Sequence, residues 1–131
     1  GQDYDDMIRF SHIFNVIDNA GQYVRCHRNG GRGYISGFIA AYPEFDLETW
    51  QMLERRQYDE VQRRMDEFHN AIKDVAERSH HRSGGYRFIK GMMAAMGKPV
   101  GGMRPPTLSF DDAEVAELRE VLRGLGWPVP Q

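Results

Sequence analysis

The sequence predicts an α/β chain that is mostly helical by residue count. Two short apolar runs rich in β-branched residues, "HIFNVID" and "GYISGFIA", flank one short helical stretch, which reads as strand, helix, strand. Beyond Pro43 apolar residues recur only at helical spacing. With 131 residues the chain holds at most one domain, long enough for a real core.

Taken in order, "DYDDMIRF" places acids in a first turn and Tyr4, Met7 and Ile8 at helical spacing, a short helix. A buried strand is expected over Ile13 to Asp18. A turn or two of helix follows within Ala20 to Asn29, with Val24 as its inner residue, and Gly30 and Gly31 stop it. "GYISGFIA" is the second buried strand. Both runs are nearly continuous in apolar character, as parallel strands covered on both faces are.

Asp46 is positioned to cap a helix with Leu47, Trp50 and Leu53 inside. A second helix carries the stripe Val61, Met65, Phe68, Ile72 and Val75, and "SHHRSGG" closes it. A third carries Ile89, Met92, Met93 and Met96 and stops at Gly97, with Pro99 beyond. "GGMRPPTLS" is an extended connection. Ser109 with Asp112 resembles a capping box for a last helix through Val115, Leu118, Leu122 and Leu125.

A strand, a crossover helix and a parallel strand form a βαβ unit. Two parallel strands alone leave both sheet edges unpaired, and burying those amides without partners is costly. The rest of the sequence offers only helices. The chain is therefore expected to be the end of a larger parallel sheet, completed by further sequence or a partner.

Composition excludes several classes. The formal charge is −2, with 17 basic residues scattered among 19 acids, so no nucleic-acid surface is expected. A single cysteine, Cys26, excludes an internal disulfide and fits a reducing, cytoplasmic setting. No signal peptide is visible, and "GMMAAMGKPVGGM" is too short for a membrane span and carries Lys98. The opening Gly1-Gln2-Asp3 lacks a methionine and hints at a processed, trimmed or tag-derived end.

The pieces "RGYISGFIAAYPE" and "FIKGMMAAMGKPVGGMRPPTLSFDDAEVAELREVLRGLGW" resemble the C-terminal part of the dihydrodipicolinate synthase / N-acetylneuraminate lyase family. "GYIS" stands where that family has its last barrel strand. The stretch from Lys90 to Pro106 and the Leu-Gly-Trp ending follow its pattern. Gly1 to Asn29 matches by element order.

The resemblance implies the last two strands of a TIM (β/α)8 barrel within residues 1–57, then a helical C-terminal extension over 58–131. A whole barrel needs about 250 residues. It also implies class I aldolase-type chemistry. A lysine amine condenses with pyruvate or another 2-keto acid, and the Schiff base acts as the electron sink for a C–C bond step. No other cofactor is implied. That lysine, the tyrosine and the carboxylate-binding motif of the family all lie upstream of this sequence. Lys73, Lys90 and Lys98 fall on the helical part and do not replace the lysine.

The pocket residues implied are Ile35, whose backbone carbonyl would line the keto-acid pocket, and Asp18 and Asn19 at the preceding strand's end. Gly37 stands where sialic-acid-cleaving members place a serine. Ala20 and Gly21 stand where those members have acids, so sialic acid cleavage is not expected. The expected partners are a small 2-keto acid, the rest of the barrel and further copies of the chain.

Other patterns read as structural. Gly31-Arg32-Gly33 precedes a strand rather than a helix, and Gly37 falls one place late for a dinucleotide loop. Gly37 is expected to admit a close approach of substrate or backbone. Adjacent Cys26 and His27 point about 100° apart on a helix, giving a structural cysteine and a surface histidine. His69, His80 and His81 form the better metal candidate, against a solvated helix end. The methionines read as core and "ERRQYDEVQRRMDE" as a solvated face. Arg104-Pro105-Pro106 is expected to pin its connection. A different class stays open beside the lyase reading: a non-catalytic helical module using the Val61–Val75 stripe. A barrel that has lost its lysine for a regulatory or assembly role is a third.

Overall fold

The computed structural model describes residues 4–83, 85–98 and 100–131. They form two compact units. The first combines the N-terminal residues through Ser36 with Asp46–Arg63, and the second combines Gly37–Phe45 with the residues from Arg64 onward.

The first unit opens with helix α1, Tyr4–Ile8, followed by strand β1, Ile17–Asp18, helix α2, Tyr23–Arg28, and strand β2, Gly33–Tyr34. The strands run parallel, with Ile17 opposite Gly33 and Asp18 opposite Tyr34. The βαβ unit is present, and it is the whole sheet among the described residues.

Each strand is only two residues long, against an expected strand from Ile13 and another through Ala40. Neither strand has a second neighbour among the described residues to hold it extended. Residues 11–14 close into turns instead, with Ser11, Ile13 and Phe14 amides bonded to carbonyls three or four residues back. Ile13 and Phe14 end up 62% and 64% exposed rather than buried. After β2 in the sequence, Ile35 is 61% exposed and Phe38–Ala40 coils into a 3₁₀ turn.

Helix α2 starts later than Ala20 because the Asp18 carboxylate captures the Ala20 and Gln22 amides. Its buried residues are therefore Tyr23 and Cys26, while Val24 is only half-buried. Gly31 does close this helix. Its amide bonds the Cys26 carbonyl at 2.8 Å, and a Cβ there would lie 2.2 Å from the Cys26 sulfur.

Helix α3, Pro43–Glu54, begins three residues before Asp46, with proline in its first turn where no N–H is required. Asp46 thus lies inside the helix and is buried together with Thr49 and Leu53. Leu47, expected inside, is 58% exposed. Helix α3 and helix α4, Tyr58–Ser83, contribute residues to both units.

In the second unit the expected stripe holds: Met65, Phe68, Ile72 and Val75 are all buried, as is Val61 in the first. Helix α5, Gly85–Ala95, buries Phe88, Met92 and Ala95 against helix α6, Asp112–Gly124, whose inner residues are Leu118 and Leu122. Met92 and Met96 are core, as the spacing predicts, while Met93 is half-buried. The capping box of α6 is made by Asp111 and Glu114, not by Ser109 and Asp112. The Ser109 hydroxyl instead accepts the Met103 amide at 2.8 Å.

The C-terminal Leu-Gly-Trp forms a Schellman turn. Gly126 takes φ +76°, and the Trp127 amide reaches the Leu122 carbonyl at 3.1 Å. This turn drives Trp127 into the core, stacked on Phe68 at 5.4 Å between ring centres.

Candidate functional site

The sheet ends supply the first candidate site. Ile35 donates its amide to the Asp18 carbonyl at 2.8 Å, so the two strands finish level. Ile35, Asp18 and Asn19 are thereby brought to one end of the parallel pair, the end where α/β active sites gather. Ile35 and Asn19 are exposed there. The Asp18 side chain is fully buried, and its two oxygens accept the Ala20 and Gln22 amides at 3.2 and 2.9 Å. Its carboxylate shapes the turn into α2, and Asn19, Ala20 and Gly21 of that turn are open to solvent. Gly37 belongs to the second unit, where a Cβ would sit 2.7 Å from Ile89 Cδ1. The close approach expected at Gly37 is thus that of the Ile89 side chain.

Behind the strand ends lies a polar cluster that the sequence reading did not find. Side chains alternate along a strand, so Tyr34 and Ser36 face away from Ile35. The Tyr34 hydroxyl donates to the Asp46 carbonyl at 2.9 Å, and the Ser36 hydroxyl donates to the Asp46 carboxylate at 3.3 Å. The Tyr23 and Tyr34 rings meet at 4.4 Å. Burial, reinforced by the Asp46 carboxylate, pushes both phenols above their ordinary pKa, most strongly Tyr34. The available signal was the Tyr-x-Ser alternation in "GYIS", which puts two hydroxyls on one face.

His27 is another departure. It is not a surface histidine: its side chain is 14% exposed, with Nδ1 3.1 Å from the Tyr58 hydroxyl and Nε2 3.1 Å from the Glu54 carboxylate. It fastens α2 to the end of α3 and the start of α4, while Cys26 faces the interior.

None of the three lysines lies in the first unit. Lys90 donates to the Gly102 carbonyl at 2.8 Å and Lys98 to the Ala41 carbonyl at 3.1 Å. Among the described residues no group of three or more His, Cys, Asp or Glu side chains is placed to hold a metal. The His80 and His81 side chains, part of the candidate metal group, lie outside the described residues. No described helix is long and apolar enough to cross a membrane.

The second unit holds a cavity of about 280 Å³ under the connection that carries the family-like pattern. Arg87, 1% exposed, organises it. Its guanidinium donates to the Leu108 and Ser109 carbonyls at 2.8 and 3.1 Å, to Ser79 and to Glu114, and lies over the Phe110 ring at 4.4 Å. Gly91 is required beneath that ring, since a Cβ would come within 2.5 Å of it. Arg104, Pro105 and Pro106, expected to pin the connection, are exposed, and it is Arg87 and Lys90 that bond to it. Pro99 of the same pattern is outside the described residues.

No family model matches the chain. It is similar to several curated proteins named probable 5-dehydro-4-deoxyglucarate dehydratase, three of which follow. The one from Saccharopolyspora erythraea is 31% identical over 70% of this chain and 29% of its own length. The one from Methylobacterium radiotolerans is 32% identical over 68% of this chain and 29% of its own. The one from Corynebacterium glutamicum strain R is 25% identical over 71% and 29%. The chain thus spans less than a third of the length of the curated relatives it matches. These names support the resemblance at the level of the family only.

Proposed function

We propose that this chain is the C-terminal portion of a Schiff-base-forming lyase that acts on a 2-keto acid, with residues 1–57 as the end of a TIM barrel and 58–131 as its helical extension. The observation that carries the proposal is the similarity to two dehydratases at 31% and 32% identity, confined to 29% of their length. The name of those relatives fits the chemistry. In 5-dehydro-4-deoxyglucarate the ketone adjoins a terminal carboxylate, which makes it a 2-keto acid, and a Schiff base there acidifies the adjacent C–H so that the hydroxyl one carbon further on leaves as water.

The parallel pair supports the same reading. Its two residues per strand and its exposed Ile13, Phe14, Ile17 and Ile35 are what a sheet fragment shows once its neighbours are taken away. In this proposal Ile35 and Asn19 form pocket wall, Asp18 fixes the turn that carries Asn19, and Gly37 lets the chain leave the strand beside Ile89. The nucleophilic lysine comes from sequence outside this chain, and the partners are the keto acid as substrate, the rest of the barrel and further copies of the protein.

The test is reductive trapping. The full-length protein containing this chain is incubated with pyruvate and borohydride and its peptides are mapped. The expected result is one covalent adduct on a lysine outside residues 1–131, and none on Lys73, Lys90 or Lys98. No adduct removes the Schiff-base mechanism; an adduct on any of those three removes the assignment of the chain to the barrel's end.

A further inference from the structure

The cavity in the second unit has no part in the proposed lyase chemistry, and its charges are specific. One wall is the face of α5 that carries Arg87, Lys90, Gly91 and Ala94. The opposite wall is the connection around Val100–Met103 and Ser109–Phe110, and Asp112 and Val115 of α6 close one side. The connection is tied down at Arg87, Lys90 and Ser109 and still leaves this space, so the cavity is preformed.

Most of its polar groups are already satisfied. Arg87 is neutralised by Glu114, and four of its five N–H donors are bonded, to Glu114, Ser79 and the Leu108 and Ser109 carbonyls. Two charged groups are not. The Lys90 ammonium has a single hydrogen-bond acceptor among the described residues, the Gly102 carbonyl, and retains two N–H donors. The Asp112 carboxylate is exposed and has no hydrogen-bond or ion-pair partner among the described residues. Both line one cavity without pairing with each other. The Ser109 hydroxyl accepts from Met103 and keeps its own proton to donate. Between these polar points the surface is apolar: Ala94, Val100, Phe110 and Val115.

We propose that this cavity binds a small zwitterion with an apolar side chain, of the free amino-acid class. The carboxylate sits against Lys90 and Ser109, the ammonium against Asp112, and the side chain against Val100, Phe110 and Val115. A simple carboxylate leaves Asp112 unmatched, and a simple amine leaves Lys90 unmatched. The volume, just below the range of about 300–1,000 Å³ for drug-sized sites, limits the occupant to a small molecule.

The experiment is calorimetric titration of the full-length protein with three probes of similar shape: leucine, isovalerate and isopentylamine. Leucine is expected to bind at least about tenfold more tightly than either single-charge probe, because each charge-assisted contact is worth about that factor. Asp112→Asn is expected to weaken leucine about tenfold and leave isovalerate unchanged. Lys90→Met is expected to weaken leucine and isovalerate but not isopentylamine. Lys90→Arg, which keeps the charge and a donor for Gly102, controls for collapse of the connection and is expected to retain leucine binding. Absence of leucine binding, equal binding of all three probes, or leucine binding unaffected by both Asp112→Asn and Lys90→Met would overturn the proposal. These readouts require no turnover and are independent of the pyruvate adduct.

Discussion

The two units of this chain differ in how they satisfy their backbone and their apolar surface. In the second, helices supply their own hydrogen bonds, and the stripe from Met65 to Val75 is buried with Phe88, Met92, Leu118, Leu122 and Trp127. In the first, the sheet has two strands of two residues each, and Ile13, Phe14, Ile17, Ile35 and Leu47 stand exposed while Asp18, Asp46 and Thr49 are buried. The contrast follows from bonding range. A helix closes its bonds four residues away, whereas a parallel strand needs neighbours that only a larger sheet provides.

The sharpest way to break the comparison is to injure the self-sufficient side. Phe68→Ala removes the ring stacked on Trp127 and touching Phe38 and Phe45. Denaturant unfolding of the full-length protein is expected to show a loss of about 3–5 kcal/mol. Glu114→Ala strands the Arg87 guanidinium, 1% exposed, without its carboxylate. A loss of about 3 kcal/mol is expected, whereas Arg78→Ala, whose partner Glu117 is half exposed, costs under about 1 kcal/mol.

On the first unit the effects are smaller and depend on pH. The Tyr34 phenol has a raised pKa through burial and the Asp46 carboxylate, so folding favours its neutral form. That contribution is whole below about pH 10, the unfolded value, and is lost as pH rises above it. Tyr34→Phe is expected to cost about 1 kcal/mol at pH 7 through the lost bond to the Asp46 carbonyl. It also makes the loss of stability above pH 10 less steep, read by circular dichroism against pH. Smallest of all is Phe14→Ser, which changes the stability of the 131-residue chain by under about 0.5 kcal/mol because the ring is 64% exposed. If the pair belongs to a larger sheet, as proposed, the same change costs several times more in the complete protein, where further strands cover that ring.

What the sequence made legible follows the same division. The stripe of α4, the stop at Gly97 and the core methionines of α5 depend on residues within a turn or two of each other, and they fell where the spacing put them. The parallel βαβ order was also readable. Strand length was not, because "HIFNVID" has strand composition but lacks the pairing partners that would hold residues 13–16 extended. The start of α2 escaped because Asp18 captures amides two and four residues on. The Tyr34–Asp46 contact spans 12 residues and the Arg87–Glu114 pair 27, distances that no local pattern encodes. Of the site residues, Asp18 and Ile35 do meet at the strand ends, while the cluster of Tyr23, Tyr34 and Asp46 behind them carried no motif.

The central claim is that the parallel pair is part of a larger sheet, and amide hydrogen exchange tests it most directly. Amides of residues 14–18 and 33–36 are compared in the 131-residue chain and in the full-length protein, with Phe68 and Ile72 of α4 as internal references. The account predicts rapid exchange of the strand amides in the short chain and strong protection in the full-length protein, with the α4 amides protected in both. Equal, strong protection of the strand amides in the short chain would contradict it.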